Sequence, residues 1–134
     1  MKKIIDDWLD QDLVEFLEHN FLYEKAHWFG HSSLDNNKNI DNSFYSHLLD
    51  SNEPINKYLF YKLKKTLDIN LSLLRMYLNI QWKEMNGSFH TDDGDITCLY
   101  MATKTRKKDG AFQIKGTNKI KFVQNRLICF DSNK

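Results

Sequence analysis

Apolar residues recur at helical spacing in two stretches of the first half and alternate with polar ones through most of the second. Near the N-terminus Trp8, Leu9, Leu13, Phe16, Leu17 and Phe21 fall three or four positions apart. That spacing gathers them into one stripe of an amphipathic helix whose role is packing. A second helix is predicted in "SNEPINKYLFYKLKKTLD", residues 51–68. Asn52 is a candidate cap, and Pro54 sits in the first turn, where its missing N–H costs nothing. Ile55, Tyr58, Leu59, Leu63 and Leu67 form its apolar face. Lys62, Lys64 and Lys65 lie near its end, where they suit the helix dipole and read as a solvated face. A shorter helix fits residues 44–49, and the polar run "LDNNKNIDNS" from Leu34 to Ser43 reads as a loop.

After Asp68 the period changes to two. In "NLSLLRMYLNIQW" the residues Ser72, Leu74, Met76, Leu78, Ile80 and Trp82 share one face. That face is mostly apolar and is expected to pack under the helices. Leu71, Leu73, Arg75, Tyr77, Asn79 and Gln81 share the other, which lines either water or a pocket. Its place just ahead of His90 favours the pocket. Short strands follow in "ITCLYMA", "AFQIKG", "KIKFV" and "LICFD", with turns at "TRKKDGA" and "QNR". Helices first and strands after predict an α+β fold, with helices packed on one face of an antiparallel sheet or partly closed barrel. The chain reads as one domain, 1–134, helical over about 1–68 and strand-rich over about 69–134.

Composition narrows the function classes. The 134 residues are 41% hydrophobic and 13% aromatic, enough for an ordinary core. A net charge of +1 argues against a chain built to grip nucleic acid or an anionic membrane. The basic run of Lys104, Arg106, Lys107 and Lys108 reads as a solvated hairpin, with a nucleic-acid contact as the alternative. Cys98 and Cys129 lie in apolar runs and read as buried free thiols, not as a disulfide framework. The opening "MKKIIDDWLDQDLVEF" has no apolar signal core, and no stretch is long enough to span a membrane. A cytoplasmic protein with no membrane and no nucleic-acid partner is expected.

Candidate chemistry sits in "NGSFHTDDGDITCLYM", Asn86 to Met101. Residues two apart on an extended chain project from the same side, so His90 and Asp92 can reach one point. An imidazole nitrogen and a carboxylate oxygen are two thirds of the facial triad that holds non-haem Fe(II) and leaves positions open for substrate and oxygen. Gly87 and Ser88 let the strand edge approach closely. By itself His-x-Asp does not specify a metal site. "DDGD" reads equally as an acidic turn or as a poor fragment of a calcium loop.

The wider context adds a resemblance. From about Leu73 onward the chain resembles the 2-oxoglutarate- and Fe(II)-dependent dioxygenases, in particular the prolyl 4-hydroxylase-like branch. The matching pieces are "LLRMYLN", "FHTDDGDITCLYM", "DGAFQIKG" and "QNRLICFDS", in the family's order and covering a little under half the chain. The resemblance implies a double-stranded β-helix, a jelly-roll barrel of the cupin kind, with helices packed on it. It implies His90 and Asp92 as iron ligands, Fe(II) as metal and 2-oxoglutarate as co-substrate. Tyr77, Asn79 and Thr97 match positions that help hold the co-substrate. Met101 stands where many relatives carry a tyrosine. The family's distal histidine and the basic residue after it would fall beyond Lys134, so the chain resembles a dioxygenase cut short of its third ligand, with closing strands missing. Exposed strand edges would then favour homo-oligomers. His27 and His31 in "HWFGH", with His19 and His47, read as packing or surface residues. The expected activity is hydroxylation of a small-molecule or peptidyl substrate. The alternative is a non-catalytic jelly-roll binding or assembly module with a vestigial metal motif.

Overall fold

The computed structural model describes residues 1–24, 30–33, 43–81, 87, 89–105 and 110–133. Along the chain the elements are β1 (Lys2–Ile5), α1 (Gln11–His19) running into a π-helical turn (Asn20–Glu24), β2 (Gly30–Ser33), β3 (Ser43–Leu48) and α2 (Pro54–Leu67). There follow β4 (Tyr77–Ile80), β5 (Ile96–Met101), β6 (Ala111–Phe112), β7 (Ile120–Lys121) and β8 (Arg126–Asp131). They fall into two compact units, Met1–His27 with Gly87–Lys134, and Trp28–Asn86. The change of period near residue 68 lies inside the second unit, between α2 and β4.

In the first unit three strands form an antiparallel sheet in the order β1-β8-β5. The last strand is central, paired with β1 on one side and β5 on the other. Leu127, Ile128, Cys129 and Phe130 are all buried, as an unbroken apolar run covered on both faces should be. Ile128 and Phe130 join Met101, Ile114 and Ile120 in one core, with Leu99, Phe112 and Phe122 packed against it. The β6–β7 hairpin supplies much of that cover, and the rings of Phe112 and Phe130 lie 5.3 Å apart. Leu127 and Cys129 face the other way by alternation. On that side Tyr100, the register partner of Leu127, meets Trp8 edge-on at 5.5 Å.

Asn125 locks the entry to β8. It adopts φ 66°, a left-handed conformation that asparagine tolerates. Its side chain accepts the Leu9 N–H at 2.9 Å and donates to the Leu9 carbonyl at 2.8 Å. The link between β1 and α1 is thereby held to the start of β8. On α1 the buried residues are Val14 and Leu17, continued by Phe21 in the π-helical turn. The expected stripe needs one correction, because Phe16 is 51% exposed. It lies about 200° around the helix from Val14, which takes the inward place.

The second unit holds the antiparallel sheet β2-β3-β4 and α2. Residues 44–49 are not a helix: Ser43–Leu48 is the central strand, paired with β2 and β4. Six residues cannot repay helix nucleation, whereas two ladders satisfy the backbone on both sides. Only Ser43 of the expected loop is described, as the first residue of β3. The alternation predicted after Asp68 appears in Tyr77–Ile80, with Tyr77 and Asn79 exposed and Leu78 and Ile80 partly buried. It does not extend back to Leu74, which is 66% exposed and outside any strand. Trp82 lies outside the described residues.

Pro54 opens α2 as expected, but Asn52 does not cap it. The Asp50 carboxylate accepts the Asn52 N–H at 2.9 Å, and Glu53 takes the capping position without a side-chain bond. The buried line of α2 runs through Asn56, Leu59 and Leu67, with Leu63 partly buried. Tyr58 points outward, one position off that line. The Asn56 amide nitrogen donates to the Asp50 carbonyl at 2.7 Å, while its side-chain oxygen is buried without a hydrogen-bond partner among the described residues. Among the described residues no helix is long and apolar enough to cross a membrane.

A candidate His–Asp site at one end of the β5–β8 pair

The site is built from the start of β5 and the end of β8. The register sets Thr97 opposite Phe130 and Ile96 opposite Asp131. One step beyond the ladder the Ser132 N–H donates to the Asp95 carbonyl at 3.0 Å, closing this end of the sheet. Just upstream Gly94, at φ 91°, turns the chain through "DDGD" in a conformation that disfavours other residues. The stretch before that turn carries His90 and Asp92, and it lies outside any strand, not on the strand that the sequence suggests.

The polar contacts form a directed chain. The Thr97 hydroxyl donates to Asp92 Oδ2 at 2.9 Å and lies 2.8 Å from the Ser132 hydroxyl. A carboxylate only accepts, so the single Thr97 proton is committed to Asp92 and the Ser132 hydroxyl donates to Thr97. Ser132 is buried. One Asp92 oxygen is thus tied inward, and the other, Oδ1, lies 3.3 Å from His90 Nε2. The side chains of His90 and Asp92 are 44% and 21% exposed, so the pair opens to solvent.

This donor set fits two adjacent positions of a six-coordinate divalent ion. Ligand atoms about 2.1 Å from such an ion and at right angles lie about 3 Å apart. Thr97 then acts on the carboxylate as an outer hydrogen-bond partner, which fixes a ligand's direction. Among the described residues no group of three or more His, Cys, Asp and Glu side chains is arranged to hold a metal. Among the described residues, this end of the sheet brings two candidate donor atoms together, His90 Nε2 and Asp92 Oδ1.

Tyr77 and Asn79 share the exposed face of β4 in the second unit, and the Arg75 guanidinium lies 5.8 Å over the Tyr77 ring. Met101 belongs to the core, with its Sδ accepting the Val123 N–H at 3.3 Å. His19 packs its ring 5.0 Å from Tyr23. His31 and His47 lie on β2 and β3, while His27 and Ser88 lie outside the described residues. Gln113, Ile114 and Thr117 form a local turn, in which Thr117 Oγ1 donates to the Ile114 carbonyl at 2.8 Å.

Ser132 is the member that sequence reasoning missed. Its signal is a parity: it continues the face of Ile128 and Phe130, and Thr97 is on that face of β5. No family model, no curated protein and no solved structure matches the chain.

Proposed function

We propose that the chain is an Fe(II)- and 2-oxoglutarate-dependent oxygenase of the jelly-roll kind, with His90 and Asp92 as metal ligands and a small-molecule or peptidyl substrate. The observation that carries this reading is the Nε2–Oδ1 separation of 3.3 Å, with the second Asp92 oxygen held from behind by Thr97. Bound together, Fe(II) and 2-oxoglutarate supply oxygen activation, with decarboxylation to succinate and hydroxylation of the second substrate. The chain's own part is to aim two donor atoms outward. Ser132 donates to Thr97, Thr97 donates to Asp92, and the anchored carboxylate presents Oδ1 beside the imidazole. A cytoplasmic setting, which keeps iron and thiols reduced, suits that chemistry.

A second reading is a non-catalytic binding or assembly module. The two-residue ligand set among the described residues favours it. Succinate release separates the two. The purified chain, given Fe(II), 2-oxoglutarate, ascorbate and air, is expected to release succinate, and Asp92→Ala is expected to stop it. No release, or release indifferent to that substitution, would favour the binding module.

A further inference from the structure

The two cysteines face each other across the sheet. Cys98 on β5 and Cys129 on β8 are register partners, and both are free thiols. The ladder bonds tell which kind of pair they form. The Ser132 N–H bond to Asp95 makes 95/132 a hydrogen-bonded position, and positions alternate, so 98/129 is non-hydrogen-bonded. The other edge of β8 agrees. There the Asp131 N–H donates to the Met1 carbonyl at 3.2 Å, so the Cys129 amide and carbonyl point towards Lys3 on β1. Opposed Cα atoms at a non-hydrogen-bonded position lie about 4.5 Å apart with their side chains close. That spacing falls inside the window of about 4.4–6.8 Å that a disulfide requires.

The two sulfurs are not equivalent. Cys98 is partly exposed, whereas Cys129 is fully buried. The Cys129 S–H donates to Cys98 and holds the Cys98 thiol below its ordinary value. The same partner, together with burial, pushes Cys129 up. An external reagent therefore meets Cys98 first, and Cys129 waits behind it.

We propose that Cys98 and Cys129 are a reversible redox couple, in which Cys98 reacts with a low-molecular-weight disulfide and Cys129 resolves the adduct as a cross-strand disulfide. The Cys98 thiolate attacks one sulfur of the oxidant, and the other sulfur leaves and takes a proton. Cys129 gives up its proton and attacks the Cys98 sulfur, and the second oxidant sulfur leaves and takes that proton. Two protein thiols are oxidised and one external disulfide is reduced to two thiols. The new bond ties β5 to β8 one residue from Thr97. It does not depend on metal binding at His90 and Asp92.

The test is intact-mass analysis of the reduced full chain after incubation with oxidised glutathione and alkylation by iodoacetamide. The expected product is lighter by two hydrogens, carries no alkyl group, runs as a single chain on a non-reducing gel and reverts with dithiothreitol. Cys129→Ala is expected to stop at a glutathione adduct on the partly exposed Cys98, formed faster than the adduct on the buried Cys129 in Cys98→Ala. A stable glutathione adduct on the wild-type chain, disulfides only between chains, or no change while the unfolded chain reacts would each overturn the proposal. Should either variant fail to fold, the wild-type mass decides alone.

Discussion

Strands β8 and β4 contain similar apolar residues and reach different ends. In β8 four consecutive residues, Leu127 to Phe130, are buried, because the strand is paired on both edges and covered on both faces. In β4 burial alternates, with Tyr77 and Asn79 exposed and Leu78 and Ile80 partly buried. A strand covered on both faces fixes its neighbours to within a hydrogen bond. A strand covered on one face offers side chains to whatever meets it. The His–Asp pair hangs from the first kind of strand, through Ser132 and Thr97, and this is why one carboxylate oxygen has a defined direction.

Substitutions can break that comparison. Ile128→Ala removes a fully buried side chain from the central strand and is expected to cost about 2–5 kcal/mol. Leu74→Ala, just ahead of β4, is expected to change stability by less than about 0.5 kcal/mol. Urea unfolding of both variants checks this, and equal costs would erase the distinction. Asn125→Ala leaves the Leu9 amide and carbonyl without their partners and is expected to cost about 2 kcal/mol by the same measurement. Thr97→Val keeps the shape, loses both hydroxyl contacts, and is expected to cost about 1 kcal/mol. At the end of α2, Asp68 adopts φ 53°, so Asp68→Gly is expected to stabilise the chain by about 0.5 kcal/mol.

A separate effect appears at alkaline pH. Burial, aided by the negative charge of Glu18, pushes the Tyr100 hydroxyl from its ordinary value near 10 to about 12. The folded chain thus favours the neutral phenol more than the unfolded chain does. The resulting stability is complete below about pH 10 and is lost as pH rises towards 12. Tyr100→Phe is expected to flatten that part of the stability–pH curve.

The strands β5 and β8 were legible because their apolar runs are bounded by turn residues, and Tyr77–Ile80 because its alternation is strict. Strand β1 was not. "KKII" is a short edge strand, and its hydrogen bonds come from the far end of the chain. The inward place of Val14 and the strand state of Ser43–Leu48 were hidden for a related reason: tertiary partners decided between patterns that local spacing left close. At the site, the two-residue spacing allows His90 and Asp92 to meet, and their side chains do so although neither lies on a strand. The link from Asp92 through Thr97 to Ser132 needs the β5–β8 register, which no local pattern contains.

The central claim is that Asp92, steadied by Thr97, and His90 hold one divalent ion. Calorimetric titration of Mn(II), an oxygen-inert stand-in for Fe(II), into the purified chain with and without 2-oxoglutarate tests it most directly. Binding is expected to tighten with 2-oxoglutarate, to vanish in His90→Ala and Asp92→Ala, and to weaken about tenfold in Thr97→Val. Absence of binding, or binding that ignores those three substitutions, would contradict it.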